Sequence, residues 1–315
     1  MAVGWIYHDD FLKHDTGPGH PERPRRLQAI VAAFEKAGLD RELVRIEPRA
    51  CEPRSLYRIH TPGHVQRIEA LCRQAPALAD SGDTPVSRES YATALLATGG
   101  VLTAVEAIMS GRATRIFCTH RPPGHHAERD RAMGFCLFNH VAVAADYLTH
   151  AHHLQRVAVV DFDVHHGNGT QHSFEERADV LFISIHQDPR TLYPGTGFTH
   201  EIGRGPGEGF TLNVPMPPGS VDDDYRRAFD EKILPRLEEY RPQALLISAG
   251  FDAMAEDPLA AVELTEHAFD WMTRRLAELA ERHCDGRILS VLEGGYDLAA
   301  LGRSAVAHVA ALAAE

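Results

Sequence analysis

Six short apolar runs rich in β-branched residues recur along the chain, at 3–7, 115–119, 157–161, 180–185, 244–248 and 287–292. The last four are almost continuously apolar, the pattern of strands buried on both faces of a parallel sheet. Amphipathic stretches at helical spacing occupy 24–37, 62–74, 89–109, 138–152, 222–240, 265–282 and 298–313. The first stops before Gly38; the second opens with Thr61 as N-cap and Pro62 at the first helical position. Strand alternating with helix predicts a doubly wound α/β domain. No internal repeat, low-complexity tract or Pro/Gly/Ser linker divides the chain, so 1–315 reads as one domain. Ligands of such sheets bind outside the carboxyl ends of the strands, which is where chemistry is expected.

Composition narrows the function. The 315 residues are 44% hydrophobic and 24% charged, enough for a sizeable core. Lys and Arg number 32 against 44 Asp and Glu, a net charge of -12, and only Lys13, Lys36 and Lys232 are lysines. That balance argues against a nucleic-acid partner, which needs a basic stripe to displace counterions, and suits a cationic substrate. No stretch approaches the roughly 18 apolar residues of a membrane span, and the opening MAVGWIYHDDFLKHD lacks a signal peptide's apolar core. A membrane partner is therefore not expected. The five scattered cysteines read as reduced thiols, and the expected location is the cytoplasm. Histidine stands out: there are 20, roughly three times average usage, and 11 fall between His120 and His186. Such density points to metal or proton chemistry.

Four strand ends carry candidate residues. After the run 157–160 comes Asp161-Phe162-Asp163-Val164-His165-His166-Gly167-Asn168, where period-two alternation puts Asp161, Asp163 and His165 on one side. Three ionisable groups ending a buried strand are costly unless they coordinate something or form a hydrogen-bonded turn. Asp-x-His suits Zn²⁺ or Fe²⁺. After 115–119 comes Arg121-Pro122-Pro123-Gly124-His125-His126, whose vicinal imidazoles could be two ligands or a general acid/base pair. After 244–248, Asp252 is a candidate third ligand or a helix cap. After 287–292, Glu293-Gly294-Gly295-Tyr296 offers close backbone approach and a phenol donor. The run 203–209 reads G-x-G-x-G-x-G, without dinucleotide-binding spacing, and is predicted to be a loop. G-x-S-x-G and H-E-x-x-H motifs are absent from the sequence.

Taken together these motifs resemble the zinc-dependent histone deacetylase family, its class II-like bacterial members in particular. The resemblance runs through HPERPRRL (20–27), RPPGHHAERDRAMGFCLFN (121–139), VVDFDVHHGNGTQ (159–171), SIHQDPRTLYPGTG (184–197), SAGFDAMAEDPL (248–259) and LEGGYDL (292–298). It implies a single-domain, three-layer α/β/α fold with a mostly parallel central sheet, of the arginase/deacetylase kind. By the same resemblance Asp163, His165 and Asp252 are the zinc ligands, with Fe²⁺ as the other candidate metal. His125, backed by Asp161, and His126, backed by Asn168, are the tandem catalytic histidines. Class I relatives carry Asp where Asn168 stands. A neutral amide orients an imidazole without favouring its charged form, so His126 is expected to be the more readily neutral of the two and the general base.

Tyr296 matches the residue that hydrogen-bonds the substrate carbonyl. Phe135 and Tyr193 match the aromatic walls of an acyl-lysine tunnel, flanked by Gly134 and Gly295. Leu259 stands where polyamine-selective relatives carry an acidic gatekeeper. Arg26 aligns with an arginine proposed to help acetate leave, and Asp83 lies near a rim position that grips the substrate backbone. Structural K⁺ is implied at two places: the backbone oxygens of Asp161, Asp163, His165 and Ile185 with the Ser184 hydroxyl, and a second site at Phe174, Arg177, Val180 and Phe210. The implied activity is removal of acetyl or other acyl groups from lysine side chains of a peptide or protein partner. Acetylpolyamine hydrolysis is the alternative, a non-catalytic acyl-amine binder the rival outside enzymology, and an oligomer is possible.

Overall fold

The computed structural model describes residues 3–80 and 82–314. Its centre is an eight-stranded sheet in which every pairing is parallel. The strands in chain order are β1 (Gly4–Ile6), β2 (Val44–Arg45), β5 (Arg115–Cys118), β6 (Val157–Asp161), β7 (Val180–Gln187), β8 (Thr211–Met216), β9 (Ala244–Ala249) and β10 (Ile288–Leu292). They lie in the order β2-β1-β5-β10-β9-β6-β7-β8. The inner strands β5, β6, β7, β9 and β10 are buried along their whole length, as their largely apolar sequence demands. A two-stranded hairpin, β3 (Ala77–Leu78) with β4 (Pro85–Val86), stands apart.

Helices cover both faces. On one, α1 (Arg25–Ala37), α8 (Glu266–His283) and α9 (Leu298–Ala313) pack together. On the other lie α2 (Pro62–Arg73), α3 (Ser90–Met109), α4 (His140–His150) and α5 (Asn168–Phe174). The result is the three-layer α/β/α arrangement. Gly38 caps α1 in the left-handed region at φ 78°, and the Thr61 side chain accepts the His64 N–H at the start of α2, both as the sequence predicts.

Three departures from the sequence pattern have physical reasons. The stretch 222–240 is not one α-helix: α6 (Asp222–Ala228) and α7 (Leu234–Tyr240) are joined by a π turn at Phe229–Ile233. Pro235 in the first turn of α7 has no N–H to give and its ring crowds the carbonyl four residues back, so the helix widens just before it. Strand β8 escapes the apolar-run criterion because it contains Asn213 and Pro215. It is an edge strand, where a missing N–H is tolerated. Finally, α3 is long and apolar enough to cross a membrane by length and composition, contrary to the reading that nothing approaches a span. In this fold it is a core helix packed on α4, β5 and β10.

Candidate active site

The site begins where β6 ends. Asp161 Oδ1 accepts the N–H of Asp163 at 3.1 Å, and Asp163 Oδ1 accepts that of His165 at 2.9 Å. These two local bonds, rather than a prolonged strand, preserve the alternation that keeps the three side chains together. Asp252 arrives from the end of neighbouring β9 and is anchored by the Val164 N–H on its Oδ1 at 2.9 Å. His165 Nδ1 then lies 3.1 Å from Asp163 Oδ1 and 3.1 Å from Asp252 Oδ2. One donor atom from each of the three lies within 4.8 Å of the others, and all three residues are buried.

This donor set fits a divalent ion. Ligand bonds of about 2.0 Å in a tetrahedron place donors roughly 3.3 Å apart, close to the 3.1 Å from His165 Nδ1 to each carboxylate. Two buried carboxylates side by side repel; burial and then the Asp163 charge raise the pKa of Asp252, and a cation relieves that repulsion. The backbone leaves room for the carboxylates. A Cβ on Gly250 would stand 2.1 Å from Asp163 Oδ2, and one on Gly294 2.0 Å from Asp252 Oδ2. Three protein ligands leave a position open, as in catalytic sites.

The histidine pair comes from the loop after β5. Glu293 Oε2 accepts the N–H groups of Gly124 at 2.6 Å and His125 at 3.1 Å, fixing the loop. His125 Nδ1 pairs with Asp161 Oδ2 at 3.0 Å, and His126 Nδ1–H donates to Asn168 Oδ1 at 2.7 Å. The two rings are 4.0 Å apart. Their environments push them in opposite directions. Burial lowers the pKa of His125, but the charges of Asp161 and Asp163 outweigh it and carry it up to about 10. Burial, then the positive charges at His125 and His165, hold His126 well below the usual histidine value. A cation held at His165 acts in the same direction. The hydrogen bond to Asn168 pulls the other way, so burial and the neighbouring charges, not the neutral amide, set this asymmetry.

A cavity of about 210 Å³ opens over these groups. His126, His165 and Tyr296 stand at its chemical end, Phe135, Tyr193 and Leu259 along its walls with Gly134, and Asp83 at its lining as well. Leu192 also lines it, which the sequence reading did not single out. His125 does not line it and sits behind His126. Gly134 is required by contact: a Cβ there would be 2.4 Å from His126 Cδ2, and its φ is +56°. Phe135 follows at φ 68°, edge-on to Tyr296 with ring centroids 5.8 Å apart. Burial keeps the Tyr296 phenol protonated, far above its ordinary pKa.

The remaining expected residues fall nearby. Arg26 is fully buried outside the cavity lining; its Nε donates to the Gly295 carbonyl at 2.6 Å, and its guanidinium stacks on the Tyr296 ring at 4.9 Å. Asp83 sits in the turn between β3 and β4, its carbonyl accepting from His20 Nε2 at 3.1 Å. Of the first potassium set, Asp161 lies opposite Ser184 in the β6–β7 register, with Ile185 next in β7. Of the second, Phe174 and Val180 bound the turn carrying Arg177, and the Phe210 carbonyl accepts the Phe182 N–H at 3.0 Å. All five cysteines are free, and burial pushes the thiol of each upward. Glu128, Asp257 and Glu293, which accept from the Asn168 amide, the Tyr296 N–H and the Gly124 and His125 N–H groups, were not assigned roles from sequence. Each lies inside a recognised motif; only Glu293, a lone charge between an apolar run and two glycines, carried a signal of its own, whereas Glu128 and Asp257 stand beside other charged residues.

An open triad of donors beside paired imidazoles holds the groups that metal-assisted hydrolysis requires. The family model described as Histone deacetylase domain matches residues 20–312, and the chain belongs to the histone deacetylase family. It is 39% identical over 300 residues to a "Probable deacetylase" of Archaeoglobus fulgidus, covering 95% of this chain and 82% of that protein. It is 40% identical over 296 residues to the "Histone deacetylase-like amidohydrolase" of Pseudomonas aeruginosa, covering 93% and 75%. The solved structure described as "Crystal Structure of HDA15 HD domain" superposes with a TM-score of 0.93 at 38% identity, covering 99% of this chain and 88% of that one.

Proposed function

We propose that this deacetylase-family chain is a zinc-dependent hydrolase that removes acetyl or longer acyl groups from lysine side chains of peptides or proteins. The observation that carries the reading is the cavity itself: Phe135, Tyr193 and Leu259 wall an apolar passage ending at His126, Tyr296 and the Asp163–His165–Asp252 triad. Aromatic walls shed water from a four-carbon lysine stem. Asp163, His165 and Asp252 would hold the zinc, which when bound would supply polarisation of the acyl carbonyl and a lowered pKa for water.

The chain's own groups do the rest. His126, neutral with its Nδ1–H committed to Asn168, offers Nε2 to take the water's proton. The Tyr296 phenol donates to the oxyanion that develops on the acyl oxygen. A protonated imidazole then gives a proton to the departing nitrogen as the C–N bond breaks, so the amine leaves neutral. His125, behind this pair and tied to Asp161, supports the positive field. K⁺ held around Ser184 and near Phe210 would stiffen β7 and its neighbours.

The test is a substrate panel on zinc-loaded protein: acetyl-lysine peptide, longer acyl-lysine peptides, acetylputrescine and acetylspermidine. The expected result is peptide hydrolysis at least tenfold more efficient than polyamine hydrolysis, abolished by chelator and restored by zinc. Polyamines as the better substrates would reassign the amine, and binding of all substrates without turnover would point to an acyl-amine binder.

A further inference from the structure

A hydrogen-bond chain leads outward from His126. Asn168 accepts from His126 Nδ1 through Oδ1 at 2.7 Å. Its amide nitrogen donates to Glu128 Oε1 at 2.5 Å, and secondarily to the His126 carbonyl at 3.4 Å. Glu128 is nearly buried, 12% exposed, and His172, 42% exposed, completes the chain with its Nδ1 2.8 Å from Glu128 Oε1. The Asn168 amide therefore lies between an imidazole and a carboxylate.

The chemistry of the two ends is unequal. A primary amide can turn over, presenting either its oxygen or its NH₂ to His126, and the imidazole Nδ1 can accommodate either by being donor or acceptor. A carboxylate cannot: it only accepts. Glu128 thus compels the NH₂ of Asn168 to face it, which leaves Oδ1 facing His126. Nδ1 must then carry the hydrogen, and Nε2 is left with a free lone pair towards the cavity.

We infer that Glu128 is a positioning residue that sets the catalytic tautomer of His126 by fixing the orientation of the Asn168 amide. It touches neither substrate nor metal ligand and acts only through Asn168. The inference rests on the proposed hydrolytic reading for its kinetic consequence, but not for its structural one.

The experiment compares Glu128→Lys, Glu128→Gln and the double variant Glu128→Lys/Asn168→Asp in the zinc-loaded full chain. A lysine is a donor and turns the amide over. A glutamine keeps an oxygen acceptor in place. An aspartate at 168 accepts from both a lysine and His126, so the double variant restores the tautomer. Expected are a kcat loss of about 10²-fold for Glu128→Lys with KM within twofold, a loss at least tenfold smaller for Glu128→Gln, and recovery of most of the kcat in the double variant. Nitrogen-15 NMR of the His126 ring reads the tautomer without turnover: hydrogen on Nδ1 in the parent chain and double variant, on Nε2 in Glu128→Lys. An unchanged tautomer in Glu128→Lys, or a double variant as impaired as the single one, overturns the inference. Glu128→Leu, which removes the acceptor without adding a charge, serves if the lysine variant does not fold; parent-like NMR in it is equally contrary. A parent chain that hydrolyses nothing while the NMR pattern holds would sink the hydrolytic reading and leave the tautomer assignment standing.

Discussion

Asp257 holds Tyr296 by its backbone: Oδ2 accepts the Tyr296 N–H at 2.7 Å and the Asp297 N–H at 3.4 Å. A carboxylate in the loop after β9 thereby fixes the phenol-bearing loop after β10, and the Asp297 side chain in turn caps α9 through Ala299 and Ala300. The hydroxyl that faces the cavity is set from two directions. Removing it leaves the ring in place, so Tyr296→Phe is expected to lose 10²–10³-fold in kcat, the order typical of one oxyanion donor, with KM nearly unchanged. Asp257→Ala, which frees the backbone and keeps the phenol, is expected to lose about tenfold. Steady-state kinetics on an acetyl-lysine peptide decide; a Tyr296→Phe variant with parent-like kcat would mean the hydroxyl contributes nothing.

Gly294 tests the metal cradle without replacing any of the three donor residues. An alanine Cβ would stand 2.0 Å from Asp252 Oδ2 and 2.6 Å from Asp163 Oδ2, distances that force both carboxylates aside. Gly294→Ala is expected to retain less than a tenth of the parent zinc content by elemental analysis, while circular dichroism stays native-like. Full zinc occupancy would show that the carboxylates have room to move.

A second buried charge cluster lies outside the cavity lining. Glu22 receives Arg121 through Nε at 2.5 Å and through a second guanidinium nitrogen at 2.6 Å, and Arg26 at 3.2 Å, all three side chains inaccessible to solvent. Burial works to raise the Glu22 pKa, but the arginines, Arg121 above all, hold it at about 2. Glu22→Gln would leave two guanidinium groups buried without their counter-charge and is expected to cost about 3–5 kcal/mol. Urea unfolding of parent and variant measures it; a difference under about 1 kcal/mol would mean water reaches the cluster.

Acid should unfold the domain early. Burial lowers His60 to about 3, His120 to about 4 and His308 to about 3. These histidines stay neutral in the fold but take a proton in the unfolded chain near pH 6.5. Their contribution is present above that pH and is lost as pH falls towards the folded values. At pH 5 each costs about 2 kcal/mol, roughly 6 kcal/mol together, much of a typical domain's stability. His125, raised to about 10, works the other way, its stabilisation complete below pH 6.5 and lost as pH rises; it is outnumbered. The melting temperature is expected to fall steeply between pH 7 and 5, and a flat profile there would contradict neutral burial of these rings.

The periodic pattern located the inner strands within a residue or two, because a strand buried on both faces admits almost no polar residue. It failed at β8, whose edge position tolerates Asn213 and Pro215, and at the π turn, where Pro235 breaks a helix that amphipathicity alone would continue. It also passed over α5, a seven-residue helix that starts at Asn168 itself and is too short to display a period. Roles for the cavity residues came from motif resemblance, since spacing by itself left Asp252 as either ligand or cap.

What the chain determines locally is the Asp161–Asp163–His165 arrangement, written into two hydrogen bonds between residues two apart, and the alternation of strand with helix. What tertiary structure decides is which strand ends meet. Asp252 reaches His165 only because β9 pairs with β6, and Tyr296 reaches the cavity only because β10 lies beside β9. Glu128 reaches Asn168 across 40 positions of sequence. Pairing between distant segments depends on burial of the whole sheet at once, so no short window of sequence contains it.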